Sequence, residues 1–180
     1  MFKIREFDEI KAQLEQRSGL RAAAVKESFG EDYLRLCLHL ADHEIAADHI
    51  FFSYEKAKQE NIDYRKEFEK LNESMWIFAG TGQGDLWLLD LNVNDGEQVY
   101  FYDHDVGDYS GENLLKMCLD IKKWFVLADL LSQLEALFDH TESHIYFDQQ
   151  WKLKPQYKQQ LASEMESIKE GLADVYPFDF

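Results

Sequence analysis

A chain of 180 residues is long enough to bury a core within one domain, and 46% hydrophobic with 14% aromatic residues exclude a disordered tail. Only two prolines and nine glycines exclude collagen-like and low-complexity classes. The formal net charge of −16, from 35 acidic and 19 basic side chains, sets the chain against nucleic acid or an anionic membrane as direct partner and toward a basic one.

The charge is unevenly placed. From Leu71 to Leu115 there is neither Lys nor Arg, while Glu73, Asp85, Asp90, Asp95, Glu97, Asp103, Asp105, Asp108 and Glu112 all fall there. The opening Met1–Asp8 lacks the apolar core of a signal peptide, and no uncharged apolar run approaches the ~18–20 residues of a membrane span. The expectation is a cytoplasmic protein. Cys37 and Cys118 then read as reduced, buried thiols, with a disulfide between them left open.

In chain order, Phe7, Ile10 and Leu14 recur at helical spacing over residues 7–18, with Gly19 as a stop. Residues 21–42 read as an interrupted helix. Phe29-Gly30 breaks it and Asp32 caps the second piece, although Leu34, Leu36, Leu38 and Leu40 would also suit a strand. Ile50-Phe51-Phe52 reads as an edge or lead-in strand. Ser53 then caps a helix over 54–72, which Asn61-Ile62-Asp63 could divide.

A meander follows. Met75–Ala79 is a strand by its aromatic and branched content, Gly80–Gly84 a turn, and Asp85–Leu91 a second strand with two apolar faces, hence central and covered. Asn92–Gly96 is a turn, Glu97–His104 a third strand, and 105–119 a loop. Asp120 caps the best core helix, 121–138, with Ile121, Trp124, Phe125, Ala128, Leu131, Leu134 and Phe138 as its stripe. Ile145-Tyr146-Phe147 suggests one more strand. Pro155 opens a last helix carrying Tyr157, Leu161, Met165, Ile168 and Leu172. The aromatic end, Tyr176–Phe180, reads either as docked on the core or as an exposed anchor.

The centre invites two catalytic readings, and spacing argues against both. Gly80, Gly82 and Gly84 alternate, the dinucleotide fingerprint would need a small residue where Asp85 stands, and no phosphate-loop lysine is present. A strand rather than a helix follows, so the glycines read as turn residues with positive φ. Asp103, His104, Asp105 and Asp108 could suggest a metal. A calcium loop, however, would want Asp at 107, where Gly107 stands, and glutamate at Leu114. His39, His43 and His49 do not match the zinc-protease helix spacing. A solvated acidic rim is the plainer reading.

Trp76-Ile-Phe-Ala-Gly-Thr-Gly-Gln-Gly-Asp-Leu-Trp87, then Val99-Tyr-Phe-Tyr-Asp-His-Asp105, then the helix around Trp124-Phe-Val-Leu-Ala128 together resemble the SUKH superfamily. This group includes the fungal cell-wall-synthesis regulator and many bacterial proteins similar to it. The resemblance covers residues of about 20–140 and departs from the family pattern at Ser28-Phe29-Gly30 and Leu40–His43. It implies one α+β domain over 1–180, with a central, mostly antiparallel sheet flanked by helices and a C-terminal helical extension at about 141–180. It implies no catalytic residues and no cofactor.

Bacterial members of the family are regarded as immunity proteins that neutralise toxins, often nucleases or deaminases; fungal members are interaction scaffolds. The resemblance thus implies a cytoplasmic immunity protein, and the net charge makes its expected partner a basic toxin domain rather than nucleic acid or membrane. The partner-binding residues expected from the acidic window are Asp85, Asp103, Asp105, Asp108 and Tyr109. A regulatory scaffold in envelope or cell-wall synthesis is the alternative, and a metal-dependent hydrolase built on the Asp103–Asp108 cluster stands behind both.

Overall fold

The branched and aromatic runs pair with one another in the computed structural model, which describes residues 1–18, 20–67, 73–93, 96, 98–106 and 113–179. Its six strands are β1 (His43–Ala46), β2 (His49–Phe51), β3 (Met75–Gly80), β4 (Leu86–Asp90), β5 (Val99–Tyr102) and β6 (Leu115–Lys116). They lie in sequence order within one sheet, each antiparallel to the next. The helices are α1 (Phe7–Lys11), α2 (Glu31–His39), α3 (Tyr54–Glu67), α4 (Ile121–Glu135), α5 (Pro155–Ile168) and α6 (Leu172–Val175). The fold is therefore α+β, an antiparallel meander flanked by helices.

β3 is buried along its whole length and β4 at every position but Asp90, as two apolar faces require. Trp124 and Phe125 of α4 pack against the sheet. The Trp124 ring meets Phe78 edge-on at 4.9 Å and Trp87 at 5.9 Å, while Phe125 lies 5.2 Å from Phe51. Such edge-to-face pairs add roughly 0.5–1.5 kcal/mol each beyond their buried area. The Asp120 carboxylate accepts the Lys123 amide at 2.8 Å and so caps α4 as expected. Pro155 occupies the first turn of α5, where its missing N–H is not needed.

Several elements differ from expectation. The first helix stops at Lys11 rather than running to residue 18, and Gln16 instead pairs with Leu40 as an isolated bridge. The segment Glu31–His39 is helical, its alternating leucines notwithstanding, because Tyr33, Leu36 and Cys37 share a buried face at helical spacing, and Leu40 beyond it is extended. β2 is not an edge strand; β1, formed from the histidine-containing segment, takes the edge. α3 runs unbroken through Asn61; residues 68–72, the rest of the helix expected there, lie outside the described residues. A short strand, β6, forms within the expected loop. Ser143–Ile145 is a 3-10 turn rather than a strand. Gly171, at φ +78°, separates α6 from α5, so Leu172 does not continue the long helix.

The aromatic end docks. The Tyr176 ring lies parallel to that of His49 at 6.2 Å, and Phe178 meets Phe101 edge-on at 5.3 Å. Both cysteines are free thiols. Cys37 is buried, and burial pushes its pKa up to about 12; Cys118 is only half-buried. Among the described residues, no helix is long and apolar enough to cross a membrane.

Candidate functional site

The acidic window centres on the corner where the β3–β4 turn meets the end of β5. Its geometry starts at Thr81, whose hydroxyl accepts the amides of Gln83 (3.2 Å) and Asp85 (3.0 Å) and whose own amide donates to the Asp85 carbonyl at 3.0 Å. These bonds curl the chain back into β4. The glycines were expected to supply positive φ throughout, but only Gly84 does so, at +105°. Gly80 is required for another reason: a Cβ there would stand 2.9 Å from the Phe52 ring. The turn is also tied to the β1–β2 hairpin, because the Gly82 amide donates to the Ala47 carbonyl at 2.8 Å.

Asp85 does not lie on an exposed acidic face as expected. It is 5% exposed, and its carboxylate is engaged internally. Oδ1 accepts the His104 amide at 3.1 Å and sits 2.6 Å from His104 Nδ1, while Oδ2 is 3.3 Å from the Thr81 hydroxyl. Burying a carboxylate without such partners would be costly, so Asp85 is a staple between the two loops. The hydrogen bond from the His104 imidazole to the Asp85 carboxylate raises the His104 pKa above its usual value, and the nearby charge of Asp105 adds to the effect. His104 Nε2 lies 3.3 Å from Asp105 Oδ1.

Asp103 and Asp105 are exposed, and the Asp105 side chain is 87% accessible. The Asp103 carboxylate accepts the Asp105 amide at 2.8 Å, which holds both acids in one short 3-10 turn. Asp108 and Tyr109 lie outside the described residues. Two of the expected partner-binding residues, Asp103 and Asp105, are thus brought together at the surface, and Asp85 supports them from beneath.

One ligand atom from each of Asp85, Asp103 and His104 falls within 4.8 Å of the others, the donor set a divalent cation would need. The arrangement, however, is that of a closed pair. The imidazole nitrogen points at the Asp85 oxygen, and a cation would have to break that contact. The hydroxyl within reach, that of Thr81, bonds Asp85 rather than the imidazole, so no nucleophile–base pair is assembled here among the described residues. His39, His43 and His49 end on α2, β1 and β2, and no compact group of metal-ligating side chains forms around them among the described residues.

Sequence reading missed a second acidic pair next to this corner. Asp48 sits at the tip of the β1–β2 hairpin, and Glu135 ends α4, far away in the chain. The Ala47 amide donates to Glu135 Oε1 at 2.7 Å, and the Trp87 indole donates to the Asp48 carbonyl at 2.7 Å. Burial raises the Asp48 pKa, and the charge of Asp85 raises it further. Burial likewise raises that of Glu135, with Asp48 and Glu44 adding to it against the Ala47 hydrogen bond. No local signal marks this pair, since Glu135 reads merely as the polar end of an apolar stripe.

The chain is thus an α+β domain whose antiparallel meander ends in an acidic, internally stapled corner. No family model, curated protein or solved structure matches this chain.

Proposed function

We propose that the chain is a non-enzymatic protein-binding domain that engages a basic protein partner through the acidic corner after β5. In the SUKH-like reading it is a cytoplasmic immunity protein that neutralises a basic toxin domain. The observation carrying this proposal is the exposure of Asp103 and Asp105 on one turn, inside a stretch from Leu71 to Leu115 with no Lys or Arg, where the His104 imidazole is the sole nearby cationic group in sequence and is already held by Asp85. Surface acids that lack local counter-charges steer a cationic partner, raising its association rate more than its final affinity. For a toxin that grips nucleic acid, such a face stands in for phosphate and occludes the basic groove.

The test is capture of a partner from the native host, including the product of the adjacent gene, followed by association kinetics at several ionic strengths. The expected result is an association rate that falls steeply with salt and drops about tenfold or more in Asp103→Lys/Asp105→Lys. A rate insensitive to both changes would sink the mapping. A partner encoded at an unlinked locus, without toxic activity, would favour the regulatory scaffold instead.

A further inference from the structure

Beside the acidic corner, on the far side of Asp48, a groove of about 370 Å³ runs between the end of α4 and the 147–153 turn. One wall is aromatic. Phe138 stacks on Phe147 at 4.0 Å, and the Trp151 ring lies 6.4 Å from that of Phe138, inclined by 26°. Phe138 is 43% exposed and Trp151 61%, so this shelf faces solvent. Trp151 also holds φ +60°, a conformation that L side chains rarely adopt and bulky ones least. Asp148 maintains it, its side chain accepting the Gln150 (2.8 Å) and Lys152 (3.0 Å) amides and its carbonyl the Trp151 amide (3.1 Å). An indole that is 61% exposed on a pinned turn meets the aromatic core only at Phe147 among the described residues, and backbone outliers of this kind are enriched at functional positions.

The groove continues inward into a smaller pocket. Asp48, Leu134, Glu135 and Asp179 line both parts, whereas Lys152 and Lys158 line the outer part alone. Neither Asp48 nor Glu135 has a lysine or arginine partner among the described residues. Their carboxyl pKa values are raised, as expected of acids drawn out of water without a counter-ion. His49 lines the inner pocket, is fully buried, and has neither ring nitrogen hydrogen-bonded within the described residues. A neutral imidazole has one acceptor nitrogen that needs a donor, and the acids beside it need a counter-ion; a cationic donor supplies both.

We propose that this groove anchors a protein partner, seating a partner lysine or arginine against Asp48 and Glu135 and the adjoining apolar side chain on the Phe138–Trp151 shelf. The proposal rests on the reading of the chain as a protein-binding domain and names the chemistry of the segment it holds. Aromatic shelves that flank a desolvated charge site are where binding energy concentrates in protein interfaces, whereas exposed rim acids mainly set the rate. The corner at Asp103 and Asp105 would attract the partner, and the groove would retain it.

The test uses the full chain and two peptides, Ac-Leu-Arg-Leu-amide and its neutral citrulline analogue, followed by two-dimensional NMR and by emission of the exposed indole. The other three tryptophans, Trp76, Trp87 and Trp124, are buried, so a change in exposed indole emission reports on Trp151. The expected result is saturable binding of the arginine peptide, with shifts at the Trp151 indole, Glu135 and His49. The citrulline peptide and the isosteric Asp48→Asn/Glu135→Gln variant should each bind at least fivefold more weakly, and Trp151→Ala should lose the optical response while melting as wild type does. The corner is read separately, through the association rate of the protein partner, so the groove can fail while the corner stands, and the reverse. Equal binding of both peptides, an unchanged affinity in Asp48→Asn/Glu135→Gln, or shifts confined to other surfaces would overturn the proposal.

Discussion

The side chain of Asn61 on α3 pairs with the backbone of Ile77 on β3 as another strand would: its Oδ1 accepts the Ile77 amide at 3.0 Å and its Nδ2 donates to the Ile77 carbonyl at 2.8 Å. β2 hydrogen-bonds β3 only as far as Phe78, whose carbonyl accepts the Phe52 amide, and beyond that point the amide side chain continues the ladder. Asn61 is 3% exposed, so water cannot substitute. Asn61→Ala leaves a buried N–H and a buried C=O unpaired, with an expected loss of about 2–4 kcal/mol in urea denaturation. Asn61→Asp keeps the acceptor but sets a carboxylate oxygen against the Ile77 carbonyl, so it should be no better than alanine.

Arg5 and Asp129 join the N-terminal segment to α4 across 124 residues. The Arg5 Nε donates to Asp129 Oδ2 at 2.9 Å, a second guanidinium nitrogen meets Oδ1, and Gln133 adds a bond at 3.1 Å. Asp129 is nearly inaccessible whereas Arg5 is partly exposed. Arg5→Met should cost about 2–3 kcal/mol by chemical denaturation, because it strands a buried carboxylate. Arg5→Met/Asp129→Leu should recover much of that loss, since removing both charges also removes the burial penalty.

The His104–Asp85 pair predicts a pH dependence of definite sign. The His104 pKa is raised in the folded chain, chiefly by the hydrogen bond to Asp85. Its contribution is therefore complete below the unfolded value of about 6.5 and disappears as pH rises through the folded value. The stability difference between wild type and His104→Gln should be largest at pH 6 and shrink by pH 9. An imidazole NMR titration should place the midpoint above that of an unfolded-chain histidine.

His49 predicts the opposite. Burial lowers its pKa from 6.5 to about 3. Between those values the unfolded chain binds a proton that the folded chain does not, so the group lowers stability as pH falls from about 6.5 toward 3. The slope is at most roughly 1.4 kcal/mol per pH unit. His49→Phe should flatten the stability profile over that window and cost little at neutral pH, because it removes two buried polar atoms without hydrogen-bond partners within the described residues. Denaturation curves at pH 4, 5.5 and 7 for both proteins would settle it.

The thiols differ in the same readable way. Cys37 is buried with its pKa pushed to about 12, so a thiol reagent at pH 8 should modify it only after unfolding. Mass mapping of the native protein should therefore find any label on Cys118.

Local pattern was enough to reveal the meander, the capped α4 and the acid-rich window. Alternation, caps and charge are carried by neighbouring residues, so β3, β4 and Asp120 could be read where they stand. The fate of individual polar groups could not be read that way, because it depends on which distant segments pack against them. Asn61 looked like a break in a helix and instead pairs with a strand, and Asp85 looked like an exposed acid and instead staples two loops. Asp48 and Glu135 carried no shared signal until the hairpin tip met the end of α4. Hydrophobic periodicity is a local property and burial a collective one, so composition determined that this surface would be acidic, while only tertiary packing decided which acids reach solvent.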